Sequence, residues 1–433
     1  MIIEKIRAKK RNGLLAMSPL FVMAVLFVLF SFLAGGFAKI PMLIVFILTS
    51  AFAMLTLRGL SLSHRIRIFS LGAGNPTLLL MIWIFLLAGA FASSARAMGA
   101  VDATVNLTLY LLPGNMILAG LFLAACFVSS SIGTSVGTVV ALVPIATGLA
   151  AKTGIELPML VASTVGGAFF GDNLSFISDT TIAATRSQGV KMNDKFLANF
   201  RLVIPAALIT LMLYVFIGQG AVDHMQLGVT SIVKMIPYIV VIVAALMGIN
   251  VVIVLLLGNI LTAVIGGLNG DFTFVTWCDS VTSGMTSMGE LILVSLMAGG
   301  LLEVIRIGGG ITWLIHGMSR HVHGKRAAEL CIGSLTCIAN LCTANNTIAI
   351  LSVGKITNDI ADRYQVDKRR SACLLDTFSC CVQAVIPYGA QLLMASGLAK
   401  ISPLEIVPFM YYPMIVFFVC ILAILVRYPR KYC

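Results

Sequence analysis

The feature that most constrains this chain is a series of twelve apolar segments separated by short connections. A transmembrane helix needs roughly 20 apolar residues, so most of these segments are long enough to cross a bilayer, and the longest could form two helices. Lipid-exposed backbone must satisfy its own hydrogen bonds, so each segment is expected to be helical. The sequence therefore predicts an all-α polytopic membrane protein. The segments are 14–33, 40–57, 78–95, 109–131, 134–150, 157–185, 202–220, 235–268, 288–305, 327–354, 371–398 and 406–427.

Composition excludes the main soluble alternatives. Hydrophobic residues make up 59% of the 433 residues and charged residues only 11%, whereas soluble domains are about 45–50% apolar and about 25% charged. The net charge is +12, but the basic residues are scattered between apolar segments, which argues against a nucleic-acid partner. The ten Cys lie mostly inside apolar segments, which argues against a disulfide-stapled secreted domain. The lipid bilayer is therefore the expected surrounding of this chain.

The distribution of Lys and Arg predicts the orientation. With the basic tail 1–13 placed in the cytoplasm, alternating spans put 24 of the 29 basic residues on the cytoplasmic side, a strong positive-inside bias. The C-terminal tail 428–433 is then cytoplasmic too. This arrangement requires segments 109–150 and 327–354 each to enter and leave on one side, either as two spans or as a re-entrant hairpin. We expect about ten spanning helices plus two re-entrant hairpins.

The chain also resembles itself at an offset near 208 residues. Thr134 aligns with Thr343 at an offset of 209, and Asp172 aligns with Asp376 at an offset of 204. In the predicted topology each half crosses the membrane five times, so the halves have opposite orientation. Inverted repeats with helices broken at the midplane are common in secondary transporters. The predicted repeats are 14–220 and 232–427.

Two segments are polar where the topology places them inside the membrane. SSSIGTSVGT (129–138) and CTANNT (342–347) combine small hydroxyl and amide residues with Gly or Ala. Such residues suit a break in a helix, where freed carbonyl, hydroxyl and amide oxygens can replace the hydration shell of a cation. The alternative is close helix packing through small residues. The candidate ligands in these two segments are Thr134, Ser135, Thr343, Asn345, Asn346 and Thr347.

Most acidic residues lie in tails, loops or at the ends of segments, whereas Asp172, Asp179 and Asp376 do not. An acid near the bilayer midplane costs about 2.5–3.5 kcal/mol on insertion scales and is usually functional. A low dielectric favours its neutral form, whereas a nearby cation favours the carboxylate. Such a group holds either a proton or a metal ion, which is the minimal basis of proton/cation exchange. The alternative is an Asp that caps a broken helix.

The spacing of these acids predicts a shared face. On one continuous helix, Asp172, Ser175 and Asp179 would stand at i, i+3 and i+7 on the same side. Asp376 closely follows a basic run, so it is expected to lie nearer the membrane surface. The same spacing recurs in the second half at Asp376, Ser379 and Gln383.

At this point the chain resembles a known family over nearly its whole length. GDNLSFISDTTIAAT (171–185), with GTSVGT upstream and TANNT downstream, resembles NhaC-type sodium/proton antiporters and the wider ion-transporter superfamily of hairpin-containing carriers. The superfamily implies two re-entrant hairpins, an elevator-like movement and a homodimer. Family members often read GDKLSPLSDTT here, whereas this chain has Asn173 and Phe176 in place of Lys and Pro. The resemblance implies a cation path lined by Asp172, Ser175, Ser178, Asp179 and Thr180.

These observations predict a secondary active transporter of a prokaryotic cytoplasmic membrane that exchanges sodium or lithium for protons. No cofactor is expected beyond the transported Na⁺ and H⁺, and Asp172 and Asp179 are the expected sodium ligands. The chain has no Walker loop, HExxH or GxSxG, so neither ATP-driven pumping nor an enzyme is supported. The alternative is a sodium- or proton-coupled carrier of a small organic anion, such as malate, lactate or an amino acid. Neither polar segment contains an Arg to clamp a carboxylate, which favours cation exchange.

Overall fold

The computed structural model describes residues 13–35, 42–176, 178–218, 231–319 and 324–429, and within these ranges the chain contains helices but no strand. Two short 3₁₀ turns, Gly114–Met116 and Val407–Phe409, adjoin α-helices. The α-helices are α1 (Gly13–Ala34), α2 (Met42–Thr56), α3 (Leu62–Ala73), α4 (Pro76–Ala97), α5 (Ala100–Leu111), α6 (Ile117–Ile132), α7 (Ser135–Thr153), α8 (Leu157–Leu174), α9 (Asp179–Gln188), α10 (Met192–Ile217), α11 (Ile232–Leu246), α12 (Val251–Leu268), α13 (Phe274–Ser287), α14 (Gly289–Ile307), α15 (Gly310–Ser319), α16 (Gly324–Thr343), α17 (Asn346–Tyr364), α18 (Lys368–Gln383), α19 (Ala390–Ala399), α20 (Pro403–Ile406) and α21 (Tyr411–Leu425).

Helix length and composition confirm the predicted all-α membrane fold. In the described part of the chain, eight helical stretches are long and apolar enough to cross a membrane, or nine if the bent pair formed by Ala390–Ala399 and Pro403–Phe409 counts as one span. Helices α2, α11 and α21 are apolar but shorter, at 15 residues each. The chain is therefore a multi-pass membrane protein.

Both polar segments form sharp breaks between two helices. Between α6 and α7, Gly133 has a φ of 75° and Thr134 is extended. Between α16 and α17, Ala344 has a φ of 48° and Asn345 is extended. A positive φ is readily accessible to Gly but strained for Ala, so the second break carries backbone strain that the first avoids. The predicted helix breaks are thus confirmed at both sites.

Each half contains one further helix interruption. Helix α8 ends at Leu174 and α9 begins at Asp179, with Ser175 and Ser178 both in extended conformation. Helix α18 ends at Gln383 and α19 begins at Ala390. The connection between α18 and α19 contains Pro387, which has no N–H to continue a helix. Each interruption leaves backbone polar groups of the helix ends inside the bundle.

The helix boundaries recur along the chain at a constant spacing. The starts of α8 and α18, of α9 and α19, and of α10 and α20 are each 211 residues apart. Position 211 after Asp172 is Gln383, so the alignment of Asp172 with Asp376 at an offset of 204 is wrong. The offset of 204 matched residue types only, whereas the positions of the helix ends determine which residues of the two halves correspond. The spacing is compatible with two repeats in the chain.

The two halves pack across one another at the broken helices. Helix α9 of the first half packs against α17 of the second, and α19 of the second half packs against α7 of the first. Within each half, α8 packs against α6 and α18 against α16. We call the break at 133–134 the first hairpin tip and the break at 344–345 the second. The crossed arrangement places both hairpin tips and both helix interruptions in the same central region.

Candidate functional site

Asp172 lies at the centre of this region, in the last turn of α8, and is only 5% exposed. Its Oδ1 accepts a hydrogen bond from the Ser135 backbone N–H at 3.1 Å, and its Oδ2 accepts one from the Ser135 hydroxyl at 2.5 Å. Ser135 is the first residue of α7, where the backbone N–H has no partner within the helix. The positive end of the helix dipole also favours an anion at this position. The first hairpin tip is therefore built to solvate an ionised carboxylate.

A chain of hydrogen bonds joins Asp172 to the second hairpin tip. Gln391 Nε2 donates to the Ser135 hydroxyl at 3.0 Å. Gln383 Nε2 donates to Gln391 Oε1 at 3.1 Å and to the Ala344 carbonyl at 3.0 Å. All three side chains are buried. The two tips are thus connected by direct side-chain contacts rather than by packing alone.

A second carboxylate, Asp376, forms a buried ion pair with Lys195. Asp376 is 0% and Lys195 1% exposed. Lys195 Nζ also donates to the Asn173 carbonyl at 2.7 Å and to the Thr181 hydroxyl at 2.8 Å. Asn199 Nδ2 donates to the same Asn173 carbonyl at 2.7 Å. The backbone freed at the interruption between α8 and α9 is therefore held by α10.

The nearness of Asp376 to the membrane surface stays a prediction, but within the protein its side chain is fully buried. Arg370, in the basic run before it, is also buried, and its Nε donates to Glu329 at 3.1 Å. Ser379 lies on the same helix, donates to the Asp376 carbonyl at 2.8 Å, and accepts at its own carbonyl from Asn340 at 2.6 Å. Asp376 is thus as deep in the protein as Asp172.

The prediction that Asp172, Ser175 and Asp179 share one face of a continuous helix is wrong. The helix ends before Ser175, so Asp172 is buried while Asp179 begins the next helix and is exposed. Ser178 and Thr180 are buried, and their hydroxyls are 2.7 Å apart. The Thr180 hydroxyl also lies 3.5 Å from the Asp172 carbonyl. The five family-motif residues surround the interruption between α8 and α9 instead of lining one helix.

The polar residues of the second tip are largely engaged with the backbone. Asn345 caps α17 by accepting from the Ile348 N–H at 2.9 Å, and the Thr343 hydroxyl donates to the Asn345 carbonyl at 3.0 Å. The Thr347 N–H donates to the Asn346 side-chain oxygen at 3.1 Å. Thr343, Asn345 and Thr347 are half-buried.

At the first tip, Thr134 is likewise half-buried. Its carbonyl accepts from the Thr138 hydroxyl at 3.1 Å.

A cavity of about 130 Å³ lies beside the second tip, between that tip and helix α14. Thr343 and Asn345 line it on one side, and Glu303 and Arg306 on the other. Arg306 Nη2 donates to Glu303 Oε1 at 2.8 Å. The guanidinium in this cavity is therefore already paired with a carboxylate.

Three residues of the site were missed by sequence reasoning: Lys195, Asn199 and Gln391. Lys195 was counted among the cytoplasmic basic residues of segment 186–201. A signal was nevertheless present, because Lys195 and Asn199 stand at i and i+4, one above the other on a helix face. Gln391 is one of several polar residues in segment 371–398, and nothing in the sequence singles it out.

The comparisons with known proteins identify the family. The model of the Na⁺/H⁺ antiporter family matches residues 11–219 and 167–427, so the chain belongs to this family. It is 25% identical over 401 residues to the Na⁺/H⁺ antiporter NhaC of Bacillus subtilis, covering 83% of this chain and 85% of that protein. It is 24% identical over 391 residues to the malate-2H⁺/Na⁺-lactate antiporter of the same organism, covering 81% of each. The crystal structure of the Alcanivorax borkumensis YdaH transporter is also similar, with a TM-score of 0.43 and 13% identity, over 86% of this chain and 90% of that one.

Proposed function

We propose that this protein exchanges sodium or lithium for protons across the cytoplasmic membrane of a prokaryote, and that Asp172 is the carboxylate at which the two cations compete. The observation that carries the proposal is the chemistry around this side chain. It is buried, it accepts two hydrogen bonds from Ser135, and within the described residues no basic side chain forms an ion pair with it. A buried carboxylate without a countercation is neutralised by binding a proton or a metal ion.

The surroundings of Asp172 supply oxygen ligands for a hard cation. The hydroxyls of Ser175, Ser178 and Thr180 flank the helix interruption beside it, and all three residues are buried. Hydroxyl and carbonyl oxygens together with a carboxylate are the ligand types that hard cations prefer. Asp179 is exposed, so we assign it to the entrance of the path, where it attracts cations while remaining hydrated.

The transport cycle follows from this competition. With a proton on Asp172 the buried site is neutral, and with sodium on the carboxylate it is neutral again. Only these two loaded forms avoid an uncompensated charge in a low dielectric, so the loaded forms are the ones that change access between the two sides. Each cycle then carries sodium one way and a proton the other.

The crossed halves support a two-repeat carrier. We propose that 14–220 and 232–427 are inverted repeats, that both tails are cytoplasmic, and that the chain works as a homodimer. Labelling of single cysteines in the tails tests the orientation, and mass measurement in detergent micelles tests the dimer.

Carriage of an organic anion is the second candidate, because one similar protein is a malate-2H⁺/Na⁺-lactate antiporter. A carboxylate substrate is commonly bound by a guanidinium. Arg306, which lines the cavity at the second tip, is paired with Glu303. This pairing favours simple cation exchange over an organic carboxylate.

The experiment uses purified protein in liposomes with a pH-sensitive dye inside. An imposed sodium gradient should drive proton flux without any organic anion present, and Asp172→Asn should abolish it. The matched control is Asp102→Asn, which changes an exposed carboxylate on α5 and should leave the flux intact. Flux that appears only after malate, lactate or an amino acid is added would establish the organic-anion carrier instead. Normal flux in Asp172→Asn would refute the assigned carboxylate.

A further inference from the structure

We propose that the ammonium of Lys195 is a tethered countercation that permanently neutralises Asp376, leaving Asp172 as the one exchanging carboxylate and making exchange electroneutral at one proton per sodium. This inference rests on the proposed Na⁺/H⁺ exchange and adds its stoichiometry. It begins from the two buried carboxylates Asp172 and Asp376, of which only Asp376 has a basic partner among the residues that the structure describes.

The surroundings of Lys195 Nζ show its charge state. Three acceptors surround this nitrogen: the Asp376 carboxylate, the Asn173 carbonyl and the Thr181 hydroxyl. An ammonium has three N–H donors, whereas a neutral amine has two. The ammonium therefore matches the number of acceptors, and each donor has a partner.

The site places this ammonium where a transported cation would otherwise bind. Asp376 and the Asn173 carbonyl are a carboxylate and a freed backbone oxygen beside the helix interruption, which is the ligand set expected of a cation site. Lys195 occupies it with a charge that cannot leave. Its side chain comes from α10, and Asn199 of the same helix helps hold it by donating to the Asn173 carbonyl.

The charges of the side chains on the helices around the site give the stoichiometry. Helix α18 contributes Asp376 and the thiols of Cys373 and Cys380, α8 contributes Asp172, and α10 contributes Lys195. Asp179 on α9 also acts electrostatically on Asp172 but is exposed and remains hydrated. The Lys195–Asp376 pair is neutral, so the buried site carries the single charge of Asp172. One proton or one sodium neutralises it, and the two loaded forms have the same net charge.

The test measures sodium-driven proton flux in liposomes while valinomycin and a potassium gradient set the membrane potential. In the wild type the equilibrium sodium gradient should not depend on the potential. In Lys195→Met, one sodium ion shared by Asp172 and Asp376 should displace a proton from each carboxylate, so the ratio of protons to sodium should rise from about one to two. One net charge then moves per cycle, and the sodium gradient should shift roughly tenfold for each tenfold potassium gradient. Lys195→Arg keeps the charge and should remain electroneutral.

A double variant keeps the proposal testable if the single variant does not fold, since removing one partner of a buried ion pair is strongly destabilising whereas removing both is often tolerated. Lys195→Met with Asp376→Asn removes both charges of the pair, so the exchange that it retains should be one-to-one and independent of the potential. A potential-dependent wild type, an unchanged ratio in folded Lys195→Met, or potential-dependent exchange in the double variant would each overturn the proposal. No sodium-driven proton flux in the wild type would refute the exchange itself, which is a distinguishable result.

Discussion

Replacing Ser135 with Ala removes one hydrogen bond from Asp172 and leaves the other. The hydroxyl donates to Oδ2 at 2.5 Å, while the backbone N–H, which survives the substitution, donates to Oδ1 at 3.1 Å. A hydrogen bond to a charged group contributes about 1.5–3 kcal/mol, and both bonds stabilise the carboxylate rather than the neutral acid. Loss of the hydroxyl therefore favours the protonated form of Asp172.

The size of this effect follows from the free energy of protonation. At about 1.36 kcal/mol per pH unit, the loss of about 1.5–3 kcal/mol corresponds to a shift of roughly one to two pH units. The pH of half-maximal sodium/proton exchange should move upward by that amount, because a more tightly held proton must leave before sodium binds. At fixed pH the apparent affinity for sodium should weaken.

The assay is the initial rate of sodium-driven proton flux in liposomes over a range of pH. Ser129→Ala is the matched control, since its buried hydroxyl lies in the same hairpin but donates to the Ala168 carbonyl at 2.6 Å. This control should keep the wild-type pH profile. A Ser135→Ala profile that does not move, or that moves to lower pH, would refute the idea that the hydroxyl stabilises the carboxylate used in exchange.

Three further substitutions test other parts of the structure. Gly171→Ala would place a Cβ 2.2 Å from the Ser129 Cβ and 2.4 Å from a backbone nitrogen. Thermal unfolding in detergent should therefore show a loss of stability of about 1–3 kcal/mol. The control Gly289→Ala, whose Cβ meets open space, should keep the wild-type stability. Asn345→Leu removes the cap of α17, which should lower stability by about 1 kcal/mol. The substitution should also weaken the apparent sodium affinity more than the maximal rate. An unchanged affinity would mean that this tip serves packing alone. Burial raises the pKa of Asp367, but hydrogen bonds from Arg369 outweigh it and hold the pKa below its usual range. Asp367→Ala should therefore destabilise the protein at neutral pH, and the difference from the wild type should disappear as the pH falls through that lowered pKa; a difference that persists in acid would contradict the argument.

The helix breaks could be predicted from sequence because their signal is local. Gly133, Thr134 and Ser135 stand out as small and polar within a long apolar segment, and the same holds for the residues around Asn345. Burial in a membrane makes such residues costly unless they terminate helices or bind something. Each break therefore lies inside the polar segment that predicts it: 133–134 within 129–138, and 344–345 within 342–347.

The partners of the acids could not be predicted in the same way. Ser135 and Gln391 are separated by 256 residues, and no periodic pattern connects residues in different halves. Lys195 follows an exposed helix start and resembles the cytoplasmic basic residues used to assign topology. Which Lys is buried depends on how α10 docks against α18, and this is decided by packing of both halves together.

The alignment of the two halves failed at the acids for a related reason. Matching residue types paired Asp172 with Asp376, whereas the helix boundaries pair Asp172 with Gln383. At this spacing the chain has two different side chains: a carboxylate that accepts from Ser135, and an amide that donates to the Ala344 carbonyl. The two side chains thus have opposite hydrogen-bonding roles.

The crossed packing of the halves has a consequence for biosynthesis. Ribosomes add about 5–20 residues per second, and chains fold from the N-terminus as they emerge. Ser135 and Asp172 are inserted early, yet the glutamine that completes their hydrogen bonding is some 220 residues further along. The polar tip of the first hairpin therefore lacks the hydrogen bond from Gln391 until α19 has been inserted. Assembly of the centre therefore cannot be completed before α19 is inserted, and a chain truncated before α19 would retain the earlier spans but lack the completed centre.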